Sequence, residues 1–215
     1  MKAPTFLPAS RAAAPIAAFG LLTLLAWHEA HAVQPALFSR SIMSTTVSAS
    51  ATANPAPAAP AEVQAALPQA RLVGTGSLRF FGLPVYEARL WAAPGFSAAR
   101  YDSQPFALEL EYARKLDGPS IAERSVAEMR RVGDFGDDKA RTWLALMMKA
   151  FPDVVAKDRL TGVHDGRGGV RFFHNTRPTA TTADREYAQL FFGIWLDPRT
   201  SAPALRQALI GAGGS

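Results

Sequence analysis

The segment from Phe106 to Tyr112 alternates strictly in character, and this alternation constrains the fold more than any other feature of the chain. Every second position is large and apolar: Phe106, Leu108, Leu110 and Tyr112. Glu109 and Glu111 lie between them. Because successive side chains of a strand point to opposite faces of a sheet, one face of this strand is apolar and the other is acidic. The pattern predicts a half-buried strand of an antiparallel sheet.

Four further segments are predicted as strands. The segments 71–81 and 83–92 precede the alternating strand and meet at a turn around Gly82. Leu160–Val163 and Val170–His174 follow it, and the glycine-rich stretch between them is typical of a hairpin turn. The strands are therefore bunched into two groups along the chain.

Four helices are predicted from apolar stripes at helical spacing and from their end signals. The first ends at Gly133, and the second begins at Asp137 and ends before Pro152. Two more begin near Thr182 and after Ser201. The resulting order, β-β-β-α-α-β-β-α-α, predicts an α+β fold in which helices cover one side of an antiparallel sheet. A doubly wound nucleotide-binding fold is disfavoured.

The first 70 residues differ in composition from the rest. A basic start, an apolar run and the triplet Ala30-His31-Ala32 predict a secretory signal peptide over residues 1–32, cleaved after Ala32. An uncleaved membrane anchor is the alternative. Residues 33–70 are rich in Ala, Pro and Ser and are predicted to be a flexible linker, so the folded domain is expected at 71–211. The mature protein is expected to be periplasmic or secreted, with no stable membrane span.

Several classes of function are excluded or disfavoured by composition. The chain has no cysteine, which excludes disulfides, thiolate zinc sites and a cysteine nucleophile. The formal charge of +5 is scattered rather than gathered in a basic stripe, so nucleic-acid binding is not expected. His164 and His174 lie in no metal-ligand pattern, and Gly74-x-Gly76 lacks the third glycine of a dinucleotide site. No metal site is predicted.

Large apolar side chains are abundant in the predicted domain, among them Trp91, Trp143, Trp195, Phe172, Phe173, Phe191 and Phe192. They suit an ordinary core, or a sheet and helices that separate enough to hold an elongated apolar ligand. Such a pocket needs a polar clamp. Arg79 and Tyr86, on neighbouring predicted strands, are candidates to hold a carboxylate or an enolate-like oxygen.

Several segments in this order resemble the chalcone isomerase-like family. They are Gly74-x-Gly76, Leu83–Trp91, Leu116-Asp117-Gly118 leading to Glu128-Met129, Phe191–Pro198 and Ser201-Ala202-Pro203. Asp158–Val163 and Gly169–Asn175 are similar to its bacterial exported branch. The resemblance implies an open-faced β-sandwich, an antiparallel sheet with a helical layer. It also implies one of two activities, since plant members are cofactor-independent intramolecular lyases and other members bind fatty acids without catalysis.

The resemblance carries over to individual residues only in part. Tyr86 matches the tyrosine with which the fatty-acid binders hold the carboxylate, and Arg79 is the best candidate for their arginine, although Leu78 takes that place in an ungapped alignment. Ile121 and Glu128 stand where the plant enzymes use a tyrosine and an asparagine. The predicted ligand site is completed by three further residues of the similar segments, Phe172, Asn175 and Phe191.

Three hypotheses follow. In the first, the domain binds an amphipathic or aromatic ligand with an anionic head, such as a fatty acid, through Arg79 and Tyr86. In the second, it is an isomerase of the intramolecular lyase class, in which Arg79 stabilises developing negative charge and Tyr86 orients the substrate. In the third, it is a structural or interaction domain whose aromatic side chains fill the space behind Tyr86. No cofactor is expected in any of them.

Overall fold

A computed structural model describes residues 57–211, which form a six-stranded antiparallel sheet with helices on both of its faces. The predicted signal peptide and most of the predicted linker lie outside these residues. Each strand pairs with the next one along the chain, so the sheet order is β1 to β6 without a crossover. The strands are β1 Arg71–Phe80, β2 Leu83–Ala92, β3 Pro105–Tyr112, β4 Arg159–Asp165, β5 Val170–His174 and β6 Arg177–Thr182.

Within residues 57–211, five α-helices accompany the sheet: α1 Ala61–Ala66, α2 Gly118–Val132, α3 Asp137–Ala150, α4 Arg185–Leu196 and α5 Pro203–Ile210. A 3₁₀ segment, Ala98–Ser103, connects β2 and β3. On the inner face of the sheet, α5 contacts β1 and β2, α3 contacts β5 and β6, and α2 packs on α4. This arrangement is the predicted α+β fold, an antiparallel sheet covered by a helical layer.

The alternation in β3 decides which side of the sheet becomes the core. Phe106, Leu108, Leu110 and Tyr112 are all buried on the inner face, beside the inner residues Ala88 and Leu90 of β2. Alternate residues of the same strands point to the outer face. The register of the strands therefore follows directly from the side-chain pattern, because a slip by one residue would exchange the two faces.

The outer face is not left bare, and this corrects the predicted domain boundary. Helix α1 lies within the segment predicted to be a linker, and its Val63 is fully buried against Trp91, Ala107 and Val163. Glu62 on the same helix accepts a hydrogen bond of 3.0 Å from the hydroxyl of Thr161. The short alanine-rich sequence of α1 gives little signal of its own, since six residues form a stable helix only when they pack on something else.

A buried carboxylate lies at the centre of the outer face. Glu109 accepts a hydrogen bond of 2.9 Å from the indole nitrogen of Trp91. It also forms an ion pair with Arg89, at a nitrogen-to-oxygen distance of 3.2 Å. A second cation, Arg159, lies 3.7 Å away. A buried charge is tolerated when it is paired and hydrogen-bonded, so this group explains why an acidic residue can occupy the middle of the sheet.

One strand was missed, and the starts of two helices differ from the predictions. Strand β6 was not predicted, because its sequence Arg-Pro-Thr-Ala-Thr-Thr has no large apolar residue to reveal an alternation. Helix α4 begins at Arg185 rather than near Thr182, because the Asp184 carboxylate caps it by accepting from the Tyr187 amide at 3.0 Å. The last helix has Ala202 rather than Ser201 at its N-cap position.

We predict that Gly74 is required for α5 to lie on β1. A Cβ atom at this position would come within 2.3 Å of the Ala208 carbonyl oxygen, which is backbone and cannot rotate away. Gly74→Ser should lower the free energy of unfolding by about 2–3 kcal/mol, as measured by urea denaturation. Gly136→Ser is the matched control, because nothing lies within 4 Å of that position and serine suits the N-cap of α3. Equal effects of the two changes would contradict the close packing.

A second prediction tests whether α1 belongs to the folded domain. Val63→Ser removes a fully buried side chain and should cost about 2 kcal/mol of unfolding free energy in the full-length chain. Ala65→Ser, on the exposed side of the same helix, should change it by less than about 0.5 kcal/mol. If thermal denaturation gives the same Tm for both variants, the folded domain begins at Arg71 as the sequence suggested.

Candidate functional site

A cavity of about 500 Å³ lies between the inner face of the sheet and helices α2 and α4. Its walls are mostly apolar, and the inward residues of four strands form its floor: Tyr86, Leu108, Leu110, Tyr112, Leu160 and Phe172. Ile121 on α2 and Phe191, Ile194 and Trp195 on α4 line the opposite wall. The volume falls within the range of small-molecule binding pockets, and the apolar walls suit an apolar ligand.

The exposed members of the lining mark the mouth of the cavity. They are Arg79 and Phe80 at the end of β1, Arg114 in the loop after β3, Ser120 and Arg124 on α2, and Ser201 before α5. The aromatic wall lies deeper, where the buried rings of Phe172 and Phe191 meet at right angles with centroids 5.2 Å apart. The cavity therefore has a cationic mouth and an aromatic interior.

Tyr86 is the most constrained polar residue of the cavity. Its phenol oxygen accepts a hydrogen bond of 3.0 Å from the indole nitrogen of Trp195, and its ring packs edge-on against Tyr112. Burial raises the pKa of Tyr86 to about 12, and the nearby Glu128 carboxylate acts in the same direction. The phenol is therefore protonated at neutral pH. Within residues 57–211 its hydrogen has no bonded acceptor, so it can be donated to an oxygen of a ligand.

Glu128 is a functional-site candidate that the sequence reading treated only as a departure from the plant enzymes. Its side chain is buried in the cavity wall and pairs with Arg124 at 2.5 Å and with Arg131 at 3.5 Å. Arg124 lies four residues before Glu128 on α2 and Arg131 three residues after it, spacings that place all three on one side of the helix. The spacing in the sequence indicates that Glu128 can pair with the two arginines. It does not reveal that the Glu128 carboxylate faces a cavity.

Arg79 is exposed and lines the same cavity as Tyr86, but it does not lie opposite Tyr86 in the sheet. The residue opposite Tyr86 on β1 is Leu78, and an irregularity in the pairing follows immediately, so that Arg79 pairs with Pro84. The guanidinium of Arg79 donates to the Gly82 carbonyl oxygen at 3.0 Å. Arg79 is therefore a residue of the cavity mouth, together with Arg114, which sequence analysis did not single out.

Of the other predicted ligand residues, two line the cavity and one does not. Phe172 and Phe191 are both in the wall, and their role in binding remains a prediction. Asn175 lies in the turn between β5 and β6 with φ of 54°, outside the cavity lining. Its side chain accepts from the Arg159 amide and donates to the Asp158 carboxylate, both at 2.8 Å. Asn175 is thus a turn residue, and its assignment to the ligand site is corrected.

The histidines and acidic residues of the described region do not converge on a metal site. No group of three or more potential ligands comes together within residues 57–211. His164 is buried, with one ring nitrogen 3.0 Å from the Gln104 carbonyl oxygen, and burial lowers its pKa. Among the helices of the same region, none is long and apolar enough to span a bilayer.

Comparisons with known proteins support the fold. No protein-family model matches the chain. An uncharacterized protein of Haemophilus influenzae is 24% identical over 139 residues, which cover 65% of this chain and 67% of that protein. The crystal structure of the Arabidopsis thaliana fatty-acid binding protein AtFAP1 is similar with a TM-score of 0.51 and 12% identity, over 66% of this chain and 87% of that one. The chain thus has a chalcone isomerase-like fold, as the sequence resemblance implied.

We predict that the native protein resists ionisation of its tyrosines. The chain has four, and the pKa values of Tyr86, Tyr101, Tyr112 and Tyr187 are all raised, chiefly by burial. Because each pKa is higher in the folded than in the unfolded state, the stability gained is complete below about pH 10 and is lost as the pH rises toward 12 and beyond. Tyrosinate absorbance should be nearly absent in the folded protein at about pH 11.

The control for this titration is the same chain in concentrated urea, in which all four tyrosines should ionise near their ordinary pKa of about 10. On alkaline unfolding of the native protein, the tyrosinate signal should appear together with the loss of circular dichroism. A full tyrosine equivalent that ionises at about pH 10 in the folded state would contradict the burial of these side chains.

Proposed function

We propose that this protein binds an elongated apolar ligand with an anionic head, such as a fatty acid, in the cavity between the sheet and helices α2 and α4. The observation that carries the proposal is the cavity itself, about 500 Å³ of mostly apolar space with arginines at its mouth. The similar fold of AtFAP1, a fatty-acid binding protein, supports the same class of ligand. The hypothesis of a domain filled by its own aromatic residues is disfavoured, because the aromatic wall leaves this space open.

The charges around the cavity favour one orientation of the ligand. Glu128 lies within the wall near Tyr86 and, although paired with two arginines, disfavours a second carboxylate beside it. Arg79 and Arg114 at the mouth form no ion pair with an acidic residue of the described region. We therefore place the anionic head between these two arginines and the acyl chain along the aromatic wall formed by Phe172 and Phe191. The Tyr86 hydroxyl remains available to an oxygen carried further along the ligand.

Binding is favoured over isomerisation by the residues that α2 presents to the cavity. Ile121 cannot donate a hydrogen bond to a carbonyl group, and Glu128 is an acid where the plant enzymes of the resembling family use an amide. Turnover of a chalcone that is lost in Tyr86→Phe would reverse this preference.

We also propose that the protein acts outside the cytoplasm, on the basis of the signal-peptide pattern at residues 1–32.

The proposal predicts that filling the cavity abolishes binding without unfolding the protein. Ile121→Trp places a large side chain into the space beside α2 and should weaken the binding of a fluorescent fatty acid at least about tenfold, because it removes apolar surface available to the chain. Ala127→Trp introduces the same side chain at an exposed position of the same helix and should bind normally. If Ile121→Trp retains the affinity and a native Tm, the ligand does not occupy this cavity.

The orientation of the ligand is tested by comparing a fatty acid with the fatty alcohol of the same chain length. Arg79→Gln and Arg114→Gln should each weaken binding of the acid by about fivefold, since exposed ion pairs are worth up to about 1 kcal/mol, and should leave the alcohol unaffected. Competition against the same fluorescent probe measures both ligands. Equal losses for acid and alcohol would show that the arginines act through the shape of the mouth rather than through charge.

A further inference from the structure

The tip of the β1–β2 hairpin carries the most exposed apolar side chains of the described region. Phe80, Phe81 and Leu83 are 60%, 90% and 59% exposed. The two phenylalanine rings contact each other edge to face with centroids 4.5 Å apart, so they form one continuous apolar surface. We call these three residues the hairpin tip. Single exposed apolar residues are ordinary, but a contiguous aromatic group at a protruding turn indicates an interaction site.

The backbone conformation at the tip is energetically unfavourable for the phenylalanine at position 81. Strands β1 and β2 pair as far as Phe80 and Leu83, which leaves Phe81 and Gly82 as a two-residue turn. Their φ angles, 48° and 78°, are both positive, as a type I′ turn requires. Asparagine is the favoured residue at the first of these positions, and an ordinary side chain there is strained by contact with its own backbone. Turn formation alone therefore does not explain phenylalanine at position 81.

The hairpin tip adjoins the mouth of the cavity and a group of cations. Phe80 and Arg79 belong both to the end of the hairpin and to the cavity lining. The Ala113 amide donates to the Val85 carbonyl oxygen at 2.9 Å, which holds the following Arg114-Lys115 pair beside the hairpin. The acidic residue of that loop, Asp117, is engaged as the N-cap of α2 by accepting from the Ser120 amide. One end of the molecule thus combines exposed aromatic rings, cations and the entrance to an apolar cavity.

We propose that this end docks on an anionic phospholipid bilayer, with the hairpin tip inserted at the interface and the cavity mouth facing the membrane. Aromatic side chains favour the boundary between headgroups and acyl chains, and Arg79, Arg114 and Lys115 lie where they can contact anionic headgroups. An acyl ligand then passes between bilayer and cavity without crossing water. The transfer step rests on the proposed function, whereas the docking does not depend on it.

A bilayer suits the tip better than a protein partner does. Three side chains on a convex two-residue turn offer far less area than the roughly 800 Å² that each partner contributes to a stable protein interface. Insertion into a lipid interface needs only the burial of the rings themselves. The arginines and lysine around the hairpin tip match the negative charge of phospholipid headgroups, and their attraction is lost when salt is raised.

The experiment uses the chain as purified after export. It measures co-sedimentation of this protein with vesicles of phosphatidylcholine that contain phosphatidylglycerol. Phe81→Asn should weaken vesicle binding by about tenfold or more, because it removes an inserted aromatic ring. It should preserve or raise the Tm, since asparagine suits the turn. Met148→Gln, which removes a comparably exposed apolar side chain from α3, should bind like the natural chain. Lys115→Gln should lose about fivefold on these vesicles and nothing on pure phosphatidylcholine.

Each variant keeps the same N-terminal segment, so any contribution of that segment to vesicle binding cancels in the comparison. Vesicle binding that is equal in Phe81→Asn and the natural chain, or absent in both, overturns the docking. A concentration-dependent dimer that is lost in Phe81→Asn also overturns it, by assigning the tip to a protein contact.

A separate assay distinguishes failure of docking from failure of the proposed function. Displacement of a fluorescent fatty acid in vesicle-free solution tests the cavity alone, and Phe81→Asn should behave there like the natural chain, because Phe81 is outside the cavity lining. If the cavity binds but vesicles do not, only the docking fails. If the cavity binds the fluorescent fatty acid and the protein binds vesicles, the rate at which this fatty acid is transferred to vesicles should rise with vesicle concentration. This dependence on vesicle concentration should disappear in Phe81→Asn.

Discussion

The structure depends on a sheet whose two faces are chemically different. The alternation in β3 places Leu108 and Leu110 on the inner face and Glu109 on the outer face, and the neighbouring strands follow the same division. The inner face must be covered by helices, because it is continuously apolar. The outer face holds its buried carboxylate through Trp91 and Arg89, and its remaining apolar surface is covered by α1. Both the cavity and the outer ionic group are consequences of this single pattern.

The cavity is bounded by large aromatic side chains on one side and by smaller side chains on another. Phe172, Phe191 and Tyr187 pack against each other as a block, with the Tyr187 and Phe191 rings stacked at 5.4 Å. Ser125 and Ala202, which also line the cavity, are too small to fill the space that this block creates. Rigid aromatic rings that pack against each other cannot easily move into the cavity, so the cavity stays open to a ligand.

Sequence reasoning recovered the parts of the fold that have a periodic signal. The five predicted strands and the order of the four predicted helices agree with the structure, because alternation and helical spacing are local properties. Helix α1 and strand β6 were missed, since the first is held by contacts distant in sequence and the second lacks large apolar residues. These elements are formed by tertiary packing, which a reading of local pattern does not contain.

The same distinction separates the site residues. Tyr86, Phe172 and Phe191 were predicted from the family resemblance, and all three line the cavity, while their role in binding stays a prediction. Arg79 does not lie opposite Tyr86, because Leu78 takes that place and the irregularity that follows pairs Arg79 with Pro84 at the end of the hairpin. Arg114 was not singled out, and Glu128 was noted only as a departure from the plant enzymes, because local sequence does not show that either residue lines the cavity.

The charged residues around the cavity are unevenly distributed, and this gives the site a direction. In the wall near the neutral phenol of Tyr86, the carboxylate of Glu128 is offset by Arg124 and Arg131. The mouth carries Arg79 and Arg114 without acidic partners among residues 57–211. In the proposed complex an amphipathic anion has its head outward, at the same end of the molecule that presents Phe80 and Phe81 to the surroundings. In the proposed arrangement, a ligand held in this orientation leaves by the end that docks on the membrane, so entry, orientation and docking all use one end of the fold.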